Sequence, residues 1–114
     1  MKDKEFSFEK YTNEEWLVSN DEILKELSQF YSAFSNPTRL KILLTLLDGD
    51  KCVGKIASTL NLDQSVVSSH LKILRHLKIV KTERNGRFVR YKIQSKCIRN
   101  VLEEGLKHIL KVVG

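Results

Sequence analysis

From Gly54 to Ile93 the hydrophobic period of the chain is helical, then broken, then helical again, then two-fold, and few folds accommodate that succession. GKIASTL (54–60) spaces Ile56, Ala57 and Leu60 as a helix does, and Asn61, Leu62 and Asp63 break the pattern with a tight turn. Helical spacing resumes in QSVVSSHLKILRHL (64–77), with Asp63 as the expected N-cap. Two β-prone runs follow, IVKTER (79–84) and RFVRYKI (87–93), separated by Asn85-Gly86. An Asn-Gly pair in that setting is a strong hairpin signal, because both turn positions need positive φ.

The flanking segments complete the order. Residues 1–12 are polar with scattered aromatics and read as a loosely attached arm. TNEEW (12–16) opens a short helix, since Thr12 and Glu15 have capping-box spacing. Asn20 or Asp21 caps a stronger helix with the stripe Ile23, Leu24, Leu27, Phe30, Tyr31 and Phe34. Asn36 is a good N-cap for the next helix, and Pro37 suits its first position. Leu40, Ile42, Leu43, Leu44, Leu46 and Leu47 make that helix apolar nearly all round, so it should be central, and Gly49 stops it. KCV (51–53) is expected to be a short extended piece. The last helix, about 96–112, places Ile98, Val101, Leu102, Gly105, Leu106, Ile109, Leu110 and Val113 on one stripe.

The expected fold is therefore mainly α with a small β-hairpin, a winged helix-turn-helix of order α-α-(β)-α-α-β-β-α. Residues 1–19 form an N-terminal arm, partly helical, and 20–114 form the domain. Little chain is left to cover the last helix. A two-fold homodimer through Leu24, Leu27, Tyr31, Val101, Leu102, Leu106, Ile109 and Leu110 would bury it. Such a dimer sets two copies of helix 64–77 about one DNA turn, roughly 34 Å, apart.

Bulk properties fit a binding domain. The chain has 114 residues, is 41% hydrophobic and carries a formal charge of +6. That balance favours a polyanionic partner such as nucleic acid, or a membrane surface. No apolar run approaches the roughly 18 residues a span needs, and MKDKEFSFEK lacks the apolar region of a secretory signal. Cys52 and Cys97 have no paired spacing, which fits a reducing cytoplasm. No Gly-rich phosphate loop, HExxH or nucleophile–base grouping is present, so neither an enzyme nor a cofactor site is expected.

On a helical wheel, Val66, Val67, His70, Leu71, Ile73, Leu74 and Leu77 fall on one broad arc, the expected core face. His70, on that arc, reads as a packed, hydrogen-bonded histidine. Ser65, Ser68, Ser69, Lys72, Arg75 and His76 lie opposite, with Gln64 at the margin and no acidic residue among them. Short hydroxyl and amide side chains let a helix sit deep in a major groove and pair with base edges or phosphates. Lys72 and Arg75, with Arg87 and Arg90 of the hairpin, suit phosphate contact. In the hairpin, Val89, Tyr91 and Ile93 alternate inward while Phe88, Arg90 and Lys92 face the other way. Arg84, Asn85, Gly86 and Arg87 form a tip placed to enter a minor groove or grip its phosphates. The same charges also blunt an exposed strand edge.

FSNPTRLKILLTLLDGDKCVGKIASTLNLDQSVVSSHLKILRHLKIVKTERNGRFVRYKI, with the terminal amphipathic helix, resembles the ArsR/SmtB-type repressors, small winged-helix dimers of prokaryotes. The resemblance implies a homodimer built from the first and last long helices. It implies binding of an operator in double-stranded DNA by two recognition helices and two wings, and repression until an inducer binds. It puts Gln64, Ser65, Ser68 and Ser69 at the DNA-reading positions.

The family often carries Cys-Val-Cys where this chain has Cys52-Val53-Gly54, so the second thiolate is missing and Cys52 reads as a small buried hydrophobe. At the family's other metal site, on the last helix, the matching positions are Ser95, Cys97, His108 and Lys111. Cys97 and His108 lie roughly 16 Å apart along one helix and would meet only between antiparallel subunits. Two good ligands suit no closed tetrahedral site, so no metal is the main expectation. The expected function is a transcriptional regulator, a repressor reading an inverted repeat through helix 64–77 and wing 79–93. The alternative is a winged-helix module that binds another protein.

Overall fold

The computed structural model describes residues 13–114; the first twelve residues of the expected arm, with the Thr12 cap, lie outside the described residues. The order is α1 (Glu14–Ser19), α2 (Asp21–Ser32), α3 (Pro37–Leu47), α4 (Val53–Leu60), α5 (Gln64–His76), β1 (Val80–Asn85), β2 (Phe88–Ile93) and α6 (Lys96–Val113). Side-chain caps start four of the helices. Asn13, Asn20 and Asn36 accept from Trp16, Ile23 and Arg39 amides at 2.9–3.1 Å, and Ser95 Oγ accepts from Ile98 at 3.3 Å. The first cap is thus Asn13. Asp63 does hold the cap position of α5, but its carboxylate makes no cap bond. Its backbone carbonyl receives Val66 and Val67 instead.

Helix α3 is central, as its all-round apolar composition predicts. Ile42, Leu43 and Leu46 are buried among Ile56, Ala57, Val67, Leu71, Leu74, Ile79, Val80, Ile98 and Leu102. The helix-turn-helix corner is made by Asn61 in the left-handed region (φ 56), which lets Leu62 N–H reach back to Ala57 O at 3.0 Å.

Both ends of the α3 neighbourhood are held by cations on carbonyls. The Arg39 guanidinium donates to Ala33 O (3.1 Å) and Ser32 O (3.4 Å) at the end of α2. Lys51 Nζ donates to Thr45 O (2.9 Å) and Gly49 O (3.2 Å), and Arg99 of α6 donates to Leu47 O (3.0 Å). These carbonyls lie where a helix leaves them without intrahelical partners. The backbone of Lys51 also exchanges hydrogen bonds with Tyr91 at 3.0 and 2.8 Å. The extended piece expected over 51–53 is therefore one residue long, because Cys52 already caps α4 and Val53 lies in its first turn.

The hairpin forms, with its turn one residue later than predicted. Val80 pairs with Ile93 and Asn85 with Phe88, so the two turn residues are Gly86 and Arg87. Only Gly86 has positive φ (67) there, the requirement of a type II′ turn. Burial decides the register: Val80 and Ile93 both enter the core and must lie opposite each other.

Two outcomes follow. Lys51→Met keeps the apolar stem but loses the charged hydrogen bonds, and should lower stability by about 1–3 kcal/mol. The urea midpoint should fall at unchanged slope; an unchanged midpoint would remove this role. Gly86→Ala should cost about 1–2 kcal/mol from the left-handed backbone. Amide exchange should then quicken in β1 and β2 and stay slow in α3.

Candidate nucleic-acid interface

Helix α5 rests on α3 and α4 through Val67, Leu71 and Leu74. Gln64, Ser65, Ser68, Ser69, Lys72, Arg75 and His76 are all exposed, as predicted. The core arc is narrower than the wheel implies. Val66 is 39% exposed and Ile73 is 43% exposed, because no other element covers the flanks of α5. Ile73 instead lines a shallow groove with Gln29, Ser32 and His76. His70 is half-buried, and its Nδ1 is enclosed without the expected hydrogen bond.

The three serines differ in hydrogen bonding. Ser69 Oγ donates its proton to Ser65 O at 3.0 Å, so it faces outward as an acceptor. The Ser65 and Ser68 hydroxyls have no partner among the described residues and can donate or accept. Gln64 lies over the start of α4: a Cβ on Gly54 would sit 3.6 Å from its Nε2. At the N-terminus of α5 the Gln64 and Ser65 amides have no acceptor among the described residues, which adds forward-pointing donors and the positive end of the helix dipole.

The wing divides its charges between base and tip. Lys92 pairs with Glu83 at 3.2 Å and with Asp50 at 3.8 Å. Arg90, expected to hold phosphate, donates to Asp50 O at 2.9 Å and lies across from Glu83. Its guanidinium therefore helps fasten the wing to the body. Arg84 and Arg87 near the tip, like Lys72 and Arg75 on α5, have no ion pair among the described residues. The Arg90 contact at the base uses the backbone carbonyl of Asp50, about forty positions away in sequence, so no local pattern signals it.

Apart from this face, α2 and α6 carry an apolar ridge. Leu24, Leu27, Tyr31, Leu106, Ile109 and Leu110 are exposed, the last at 59%. Val101 is half-buried. Leu102 is only 6% exposed and belongs to the core, which corrects its assignment to an interface. Between the two helices and α3 lies an apolar groove of about 440 Å³ bordered by Tyr31, Leu44 and Gly105. Cys97 and His108 are exposed on α6, Cys52 is half-buried, and Ser95 spends its hydroxyl as a cap. Among the described residues no three His, Cys, Asp or Glu side chains gather as a metal site. No helix among them is long and apolar enough to cross a membrane.

Residues 36–82 match the model of the bacterial regulatory protein arsR family. The chain is 32% identical over 85 residues to a transcriptional repressor SmtB homolog of Synechocystis, covering 75% of this chain and 64% of the relative. It thus spans less than two thirds of that relative's length. It is 32% identical over 88 residues to the transcriptional repressor SdpR of Bacillus subtilis, covering 77% of this chain and 93% of SdpR. The fold matches the homodimeric winged helix-turn-helix DNA-binding domain of Mb0332 from Mycobacterium bovis. That match has a TM-score of 0.80 at 21% identity and covers 84% of this chain and 89% of the other. With its helix-turn-helix, its wing and its SdpR-length match, the chain belongs to the arsR family of bacterial regulatory proteins.

Proposed function

We propose that this protein is a cytoplasmic, non-enzymatic transcriptional repressor that binds an inverted repeat in double-stranded DNA as a homodimer. The observation that carries this reading is the outer face of α5. It is exposed, acid-free and rich in short hydroxyls, and unpaired arginines stand at the neighbouring wing tip. In this reading Ser65 and Ser68 read base edges, Ser69 accepts from an exocyclic amine, and Gln64 pairs at the margin of the groove. Lys72, Arg75, Arg84 and Arg87 hold phosphates, Asn85 sits at the wing tip beside them, and Arg90 stiffens the wing. The names of the SmtB homolog and SdpR as repressors, and of the Mb0332 domain as homodimeric, support it. The ridge of α2 and α6 is the proposed dimer surface. Exposed Val66 and Ile73 favour a second reading, a protein-binding α5, which the first test below separates.

Selection on random duplex DNA at controlled salt should enrich an inverted repeat. Ser65→Ala and Ser68→Ala should each relax preference at a base position, by about 0.5–1.5 kcal/mol for a single hydroxyl hydrogen bond. Arg84→Ala with Arg87→Ala should weaken binding evenly and flatten the logarithmic salt dependence by about 0.9 per lost phosphate contact. No enrichment by the wild type would overturn the proposal in favour of a protein partner. Leu106→Asp should yield monomers in sedimentation; an intact dimer would remove the α6 interface.

A further inference from the structure

At the far end of the reading helix, the junction of α5 and β1 forms an open polar pocket of about 310 Å³. Arg75, Lys78 and Lys81 border it with Thr82 and Gln94. None of the three cations has an ion pair or a hydrogen-bond acceptor among the described residues, in contrast to Lys92 on the neighbouring strand. Lys81 lies directly across from Lys92, so its partner position adds no acid.

Lys78 holds the left-handed backbone (φ 61) that closes α5, with Ile79 N–H donating to Leu74 O at 2.8 Å. Glycine occupies this closing position at no steric cost, whereas a side chain there is strained. The chain nevertheless puts a lysine there, and its side chain borders the pocket. Tyr91 spends its backbone N–H and C=O on Lys51, so its cross-strand partner Thr82 turns its own N–H to the free edge of β1. The pocket thus adds a backbone donor and the Gln94 amide to three positive charges.

We propose that this pocket is a binding site for one phosphate group, held by Arg75, Lys78 and Lys81. It deepens the DNA reading, because a phosphodiester of the bound strand would tie the end of the recognition helix to the base of the wing. A free phosphorylated small molecule offers the same chemistry, and occupancy by one would compete with the strand.

The test compares the wild type with Lys78→Gly and Lys81→Ala, singly and together. Lys78→Gly removes the charge and relieves the strained backbone, so it keeps the fold. In the DNA arm, the double variant should flatten the slope of log affinity against log salt by about 0.9 per phosphate lost, with the selected sequence unchanged. Neutral methylphosphonate at one backbone position should then weaken the wild type and leave the double variant indifferent. In the free-ligand arm, inorganic phosphate is titrated into the protein in chloride buffer while the Lys78, Thr82 and Gln94 amide signals are followed. Saturable shifts in the wild type, absent in the variant, support the pocket even if the wild type selects no DNA. Unchanged salt slope together with silent amides overturns it.

Discussion

Lys51 grips the structure twice. Its ammonium closes the carbonyl end of α3, and its backbone pairs with Tyr91 in the wing. Arg99 brings α6 to the same carbonyl end. One helix terminus therefore sets where the wing leaves the body, where α4 begins and how α6 is hung. The arrangement follows from unpaired carbonyls, which must find donors when they are shielded from water. Ile42, Leu43 and Leu46 of α3 sit in a core shared with every element from α4 to α6, and such apolar burial has no direction of its own. The directional bonds at the end of α3 add the orientation that burial lacks.

Charge is distributed with the same economy. Acidic partners sit at the root of the wing, where the Asp50 and Glu83 carboxylates hold Lys92, while Arg90 donates to the Asp50 backbone carbonyl. Among the described residues no such partners reach the tip or the outer face of α5. An exposed ion pair contributes little stability, commonly below about 1 kcal/mol, so the root pairs are better understood as geometric fasteners. The uncompensated cations keep their full field for whatever polyanion approaches.

Much of this was legible in the chain. The helix order, the Asn36-Pro37 start of α3, the exposed polar face of α5 and the presence of a hairpin all follow from periodicity and capping chemistry. What escaped depended on distant partners. The turn shifted to Gly86-Arg87 because two strand ends had to meet in the core, and a dipeptide rule carries no knowledge of that. Asp63 holds the cap position of α5, as its residue type suggests, but leaves its carboxylate out of the cap. Leu102 and Ile73 changed sides because a wheel shows the direction of a residue without showing what lies beyond it. The inequality of the serines arose from a single internal bond, Ser69 to Ser65, that several rotamers of an exposed serine can make or avoid.

The far half of α6 has a thermodynamic consequence. From Leu106 to Val113 its apolar side chains are exposed, with nothing among the described residues to cover them. A helix segment that short has little stability in water by propensity alone. If a second copy covers it, this segment orders as pairing occurs, and part of the folding free energy becomes a function of protein concentration. Dilution would then loosen this end while the α3-centred core stays folded, making the amount of protein in the cell itself a control on the assembled form.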